Sequence, residues 1–198
     1  MREAVGGNPV ADLGQPLKTR LVSFARSHTA RAAAALTWIV STLNQHEVSY
    51  QVVGGLAALA YGGTRPLHDI DLYAPLSGRP GLLAELRPFT VWGPEHFQDA
   101  AWDLVFMKID FDGIRIEIGD SVLHPRYFNA YQHRWVDQRV DYDRSRRRIV
   151  LGVPVDVMPL ADLLDYKRGL ARPVDRQDIA ELSGPTVASL PPRDDRLD

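Results

Sequence analysis

The stretch VVGGLAALAYGGTRPLHDIDLYAP, residues 52–75, decides how this chain folds. An apolar pair, Val52 and Val53, runs into Gly54 and Gly55. A helix-like segment follows, closing at Gly62 and Gly63, and a second strand-like run then carries Asp69 and Asp71. Side chains alternate faces along a strand, so Asp69 and Asp71 point one way while Ile70 and Leu72 point the other. Two carboxylates then share one small space and repel each other unless a cation neutralises them. A hard divalent ion such as magnesium, which takes carboxylate oxygens together with substrate phosphates, is the ordinary solution. The glycine pair lies between strand and helix, where a backbone without β-carbons lets a phosphate approach and helix amides point at the anion. Arg65, four residues before Asp69, is placed either for a cationic contact to that phosphate or for a salt bridge at the helix exit.

A third acid comes from DLVFMKIDFDGIRIEIGD, residues 103–120, which reads as a hairpin turning at Asp112-Gly113. Ile114, Ile116 and Ile118 form its buried face and leave Arg115 and Glu117 on the other. If this strand neighbours the Asp69 strand, then Asp69, Asp71 and Glu117 converge as metal-holding carboxylates. Lys108 would face Glu117 across the hairpin, so a plain surface ion pair is the competing reading, and Asp110 and Asp120 are alternative third acids. Alone, a glycine pair is commonly a tight turn and Asp-x-Asp is frequent in loops; the combination is far more specific.

These residues resemble the nucleotidyltransferase superfamily whose fold is shared with DNA polymerase β: a glycine pair opening a helix, an Asp-x-Asp strand, then a third carboxylate. The spelling GGTRPLHDIDL is similar to that of small bacterial members related to type IV toxin–antitoxin (abortive infection) toxins and to antibiotic nucleotidyltransferases. The resemblance covers roughly residues 50–182. It implies that Asp69 and Asp71 hold magnesium, two ions in all, and a nucleoside triphosphate such as ATP. It implies too that Glu117 completes the metal site or activates an acceptor hydroxyl, on tRNA, a protein or a small molecule, and that an antitoxin protein is a partner. Gly55 stands where many members carry serine, which removes a hydroxyl contact to phosphate and keeps the amide.

Late in the chain, LADLLDYKRGLARPVDRQDIAEL, residues 160–182, carries Lys167 on the apolar stripe of Leu160, Leu163, Leu164, Leu170 and Ala171. A lysine there needs an anion or a route to water, and the chain has only three lysines against twenty arginines, so it is no routine surface residue. By resemblance to the family's late motif, Lys167 contacts nucleotide phosphate and Asp178 or Asp175 assists at the acceptor side. The alternative is a buried pair of Lys167 with an acid, Asp175 serving as a helix N-cap.

The remainder bounds these readings. With 198 residues, 45% hydrophobic, 24% charged and a formal net charge of -2, the chain has the composition of one ordinary globular domain with no charge excess pointing to nucleic acid or lipid. It has no cysteine, which excludes disulfides, thiolate metal sites and cysteine nucleophiles. No stretch supplies the roughly 20 apolar residues of a membrane span or a signal-peptide core, and the protein reads as cytoplasmic. The expected organisation is a loose tail at 1–15, one domain at 16–184 and a loose tail at 185–198. Within the domain, N-terminal helices over 16–48 precede a sheet core over 50–158 and C-terminal helices over 159–183. The expected class is α+β, a mixed sheet with helices packed mainly on one face. Arg144–Arg148, RSRRR, reads as a solvated basic loop rather than a tRNA contact. His68 reads as structural, and Trp92, Trp102 and Trp135 as packing. The functional expectation is magnesium-dependent nucleotidyl transfer with pyrophosphate release, the alternative being a degenerate relative that binds nucleotide or a partner without chemistry.

Overall fold

The computed structural model describes residues 17–184, so the tails expected at 1–15 and 185–198 lie outside the described residues. The N-terminal segment is one continuous helix, α1 (Leu17–Gln45). Its stripe of Leu36, Ile39, Val40 and Leu43 is buried, and it packs across the sheet strands described below as β5 and β9. A short strand, β1 (Gln51–Val52), enters helix α2 (Gly54–Ala60), and β2 (Asp69–Ala74) returns antiparallel to β1. After α3 (Pro80–Leu86), strand β3 (Thr90–Gln98) pairs with β4 (Trp102–Phe111), which turns into β5 (Ile114–Asp120). Asp112 and Gly113 both take positive φ at that turn, 51° and 74°, as a type I′ hairpin requires.

Two four-residue strands follow, β6 (Arg126–Asn129) and β7 (Arg134–Asp137), then the hairpin of β8 (Arg146–Val150) and β9 (Val153–Val157). Helices α4 (Leu160–Leu170) and α5 (Pro173–Leu182) close the described part of the chain. The sheet runs β7-β6-β4-β5-β2-β1-β9-β8, with β3 on the free side of β4. It is mixed: β2 pairs β5 in parallel, β1 pairs β9 in parallel, and the other ladders are antiparallel. The class is therefore α+β, as the element pattern predicts.

What positions the site is the division of faces on β2 and β5. Ile70, Leu72, Ile116 and Ile118 are all buried in the core, each stabilising by roughly 1.5–3 kcal/mol over exposure. Register does the rest, because a strand whose alternate residues are locked inward must present the others outward.

Three departures from the sequence reading have local causes. The stretch before β4, whose sequence shows no alternation and reads as irregular, is a strand, β3: its register shifts between Thr90 and Trp92 and again between Trp92 and Glu95, which destroys the period-two signal around Gly93-Pro94. Strands β6 and β7 are too short to show periodicity. The run RSRRR is mostly strand β8 rather than loop, and three of its arginines have partners. Arg147 stands 3.1 Å from Asp156, Arg144 3.1 Å from Asp162, and Arg148 lies over the Tyr61 ring. No helix among the described residues is long and apolar enough to cross a membrane.

Candidate active site

The turn from β1 into α2 is clamped on both sides. Val53 N donates to the carbonyl of Asp71 at 2.9 Å, and Met158 N donates to that of Val52 at 3.0 Å. Gly54 follows with φ +63°, and a β-carbon built there would collide with the Asp71 carboxylate. Glycine is thus required twice at this position, by the backbone angle and by the acid lying against it. A β-carbon on Gly55 would stand 2.8 Å from Nη2 of Arg65. The space that the sequence reading reserved for a phosphate is in part taken by Asp71 and Arg65, which brings an acid and a cation onto the glycine floor. The amides of Gly54, Gly55 and Leu56 come before the first bond of α2, Ala57 N to Val53 O at 3.1 Å.

The acids gather as the strand-face argument requires. In the parallel pairing of β2 with β5, Asp69 faces Arg115, Asp71 faces Glu117 and Tyr73 faces Gly119. Asp69, Asp71 and Glu117 line one cavity of 390 Å³ together with Gly54, Gly55, Arg65 and Lys167. Burial first, then the neighbouring charges of Asp69 and Glu117, push Asp71 up to about 7. Glu117 is also raised, by burial and by Asp69, against the lowering pull of Lys108. The ion pair is formed, Lys108 Nζ standing 3.8 Å from the Glu117 carboxylate, and Glu117 lines the cavity as well. Among the described residues no three His, Asp or Glu side chains stand close enough to enclose a metal ion by themselves. The alternative third acids are committed elsewhere. Asp120 accepts from Ser77 N, Ser77 Oγ and Val122 N, Asp110 accepts from Gly113 N at the hairpin turn, and neither lines the cavity.

Lys167 is 1% exposed, with Nζ 2.7 Å from Asp178 and 3.6 Å from Asp175. Asp178 also accepts from Arg65 Nε at 3.1 Å. Burial alone would raise the Asp178 carboxyl, but the Arg65 and Lys167 hydrogen bonds hold it below the usual carboxylate range. Asp178 is wholly enclosed and touches the two cations, while the cations themselves line the cavity. Asp175 is the third residue of α5 rather than its N-cap. Its carboxylate reaches back to Arg172 N at 3.2 Å and Arg172 Nε at 2.7 Å, because a proline at the first helical position moves the cap to Arg172. One turn further on, Glu181 accepts from Thr64 N at 2.7 Å. Helix α5 thereby straps down both Lys167 and the loop that carries Arg65.

The cavity also holds residues that the sequence reading did not select. Arg172 and Lys108 add positive charge, and Tyr73 and Tyr166 line the cavity as well. A β-carbon on Gly119 would run into the Tyr73 ring, so that glycine makes room for it. Trp102, assigned to packing, and His68, assigned to structure, both line the cavity. The signal for Trp102 was present: Trp102, Leu104, Phe106 and Lys108 alternate on β4 as Asp69 and Asp71 do on β2.

No protein-family model matches the sequence, and no curated protein matches it. Solved structures do. A candidate nucleotidyltransferase from Thermotoga maritima is 21% identical with TM-score 0.58, covering 74% of this chain and 89% of that one. The lincosamide antibiotic adenylyltransferase LnuA, solved with lincomycin bound, is 13% identical with TM-score 0.50, covering 75% of this chain and 94% of that one. The chain shares its fold with these two structures.

Proposed function

We propose that the protein transfers a nucleotidyl group from a nucleoside triphosphate to an acceptor hydroxyl, releasing pyrophosphate, with magnesium as cofactor. The observation that carries this reading is the arrangement of one cavity: a glycine floor with Arg65 and Lys167 at one side, and Asp69, Asp71 and Glu117 along the neighbouring strands. Arg65 and Lys167 suit the triphosphate, each already oriented by Asp178. The donor set suits magnesium, which is commonly held by one or two carboxylates and completed by phosphate oxygens and water, so a closed protein cage is not needed. Asp69 and Asp71 would hold it, with Glu117 beside them; burial first, and then these acidic neighbours, raise Asp71, and a cation would oppose both. When bound, the ion supplies charge neutralisation at the reacting phosphate.

The chain's own part is to place and neutralise. An acceptor hydroxyl oxygen bonds to the α-phosphorus as the bond from that phosphorus to the pyrophosphate bridging oxygen breaks. The leaving pyrophosphate takes the electron pair, next to Arg65 and Lys167. The hydroxyl proton passes to Glu117, whose affinity for protons burial raises above that of an ordinary glutamate.

Incubation with each labelled triphosphate, magnesium and candidate acceptors (tRNA, proteins, hydroxylated small molecules) tests this reading. Wild type should release pyrophosphate and label one acceptor class, and Asp69→Ala and Asp71→Ala should each lose at least about a hundredfold. Absence of magnesium-dependent release in every combination would contradict transfer. A second reading, nucleotide binding without chemistry, draws on the acids standing as a pair plus a neighbour rather than a ligand cluster. It predicts triphosphate binding that persists without divalent ion.

A further inference from the structure

The acidic face does not end at Glu117. Across the sheet, Glu117 pairs with Lys108 and Gly119 with Phe106 on β4, while Leu104 pairs with Phe97 on β3. Residues of one column point the same way, so Trp102, Leu104 and Phe106 continue the surface that Asp71 and Glu117 begin. Phe97, Trp102, Leu104 and Phe106 all line the same cavity, with Val174 of α5 exposed at its edge. Neighbouring strands lie about 4.8 Å apart, which sets the β4 column roughly 10 Å beyond Asp71 and on the side away from Gly54.

That order across the sheet has a chemical consequence. In-line displacement puts the attacking oxygen opposite the leaving pyrophosphate. With the phosphate-holding groups, Gly54, Gly55, Arg65 and Lys167, on the β1 side, the acceptor must come from the β4 side. The β4 side is apolar and aromatic, and its charges are already matched. Lys108 stands by Glu117 and over the Phe106 ring at 5.2 Å. Arg172 pairs with Asp175 and lies over Trp102 at 5.6 Å. Asp99, the one other carboxylate there among the described lining residues, accepts from the amides of Ala101 and Trp102 in its own turn. A polycationic acceptor finds no free acid on this wall, whereas a flat apolar body finds the half-buried Phe97, Trp102 and Leu104 side chains to pack on.

Resting on the nucleotidyl-transfer reading, we propose that the β3–β4 wall is the acceptor subsite and that it takes a hydroxyl-bearing compound with a planar aromatic body. Phe97, Trp102 and Leu104 hold the ring, with Phe106 buried against Phe97, and its hydroxyl reaches toward Glu117 and the α-phosphate.

Equilibrium binding separates the two claims. 7-Hydroxycoumarin and 2-naphthol serve as aromatic probes, spermidine as the polycation and ATP with magnesium as the nucleotide. They are measured on the full chain as wild type, Trp102→Ala, Trp102→Phe and Phe97→Ala. The expected result is that an aromatic probe binds the ATP-loaded wild type and spermidine does not. Trp102→Ala and Phe97→Ala should weaken the probe at least tenfold and ATP less than twofold, with Trp102→Phe restoring most of the probe affinity. If ATP does not bind wild type, GTP, CTP and UTP are measured in its place, and if none binds, the transfer reading falls and the acceptor assignment with it. If ATP binds but neither probe does, or spermidine binds in preference, or the wall variants weaken ATP as much as the probe, the acceptor assignment alone is overturned. Variants that still bind ATP have folded, so loss of the probe is not loss of structure.

Discussion

Two pairs of aspartates stand near this cavity, and they live under opposite electrostatic conditions. Asp69 and Asp71 are two apart on a strand and share one face with Glu117; Asp175 and Asp178 are three apart on a helix and share one face toward Lys167. The helix pair is wholly enclosed and answered by Lys167, Arg65 and Arg172, so Asp178 is held below the usual carboxylate range. The strand pair has no cation of its own within bonding distance among the described residues, and Asp71 is pushed up to about 7. Burial does not distinguish a structural acid from a reactive one; the presence or absence of an internal counter-charge does. Asp178 works through the residues it orients, and Asp71 is left to meet something from outside.

The largest expected effect comes from breaking the satisfied pair. Asp178→Ala leaves Lys167 enclosed with only Asp175 at 3.6 Å and releases Arg65. It should cost about 3–5 kcal/mol of stability, read as a fall in the denaturant midpoint at unchanged slope. Gly54→Ala comes next. It forces a side chain into φ +63° and against the Asp71 carboxylate, at about 2–3 kcal/mol by the same measurement.

Asp71→Asn should move the other way. An aspartate whose folded pKa lies near 7 instead of 3.8 contributes stability when protonated and loses it as pH rises through about 4 to 7. At pH 8 the asparagine variant should be more stable than wild type by on the order of 2 kcal/mol, and at pH 4 the two should agree. Asp178, with its folded pKa lowered, has the opposite slope: its contribution is present above the ordinary aspartate pKa and fades as pH falls through the depressed value. Melting curves from pH 3 to 8 separate the two branches. If Asp71→Asn destabilises at pH 8 as Asp178→Ala does, the contrast between the pairs is false. The smallest effect is that of Gly55→Ala, where the neighbour is the flexible tip of Arg65. It should cost about 1 kcal/mol or less in stability yet weaken triphosphate binding measurably by calorimetry, since Arg65 must move.

Legibility in the sequence followed the range of the forces involved. The Asp69–Asp71 face, the Ile114–Ile118 face and the Asp112-Gly113 turn are local periodicities, and all three stand in the fold as read. Lys167 was legible because a lysine on an apolar stripe breaks a local rule. Where β3 lies was hidden by register shifts, which erase alternation while leaving the pairing with β4 intact. Arg172, Lys108 and the aromatic wall were hidden for another reason: their membership in the cavity depends on which strands and helices meet, and no local pattern encodes that. Asp178 falls between. Helical spacing puts it on a face with Asp175, but only the packing of α5 against α4 shows that the face meets cations and does not line the cavity.

The most direct test is a carbon-detected NMR titration of the aspartate carboxyls, with Asp71 assigned by comparison with Asp71→Asn, first alone and then with magnesium and a nonhydrolysable triphosphate. The account predicts one carboxyl titrating near 7 in the free protein and falling into the ordinary aspartate range when ion and nucleotide bind together. An Asp71 that titrates in the ordinary range from the start, or near 7 whether or not they are present, would contradict it.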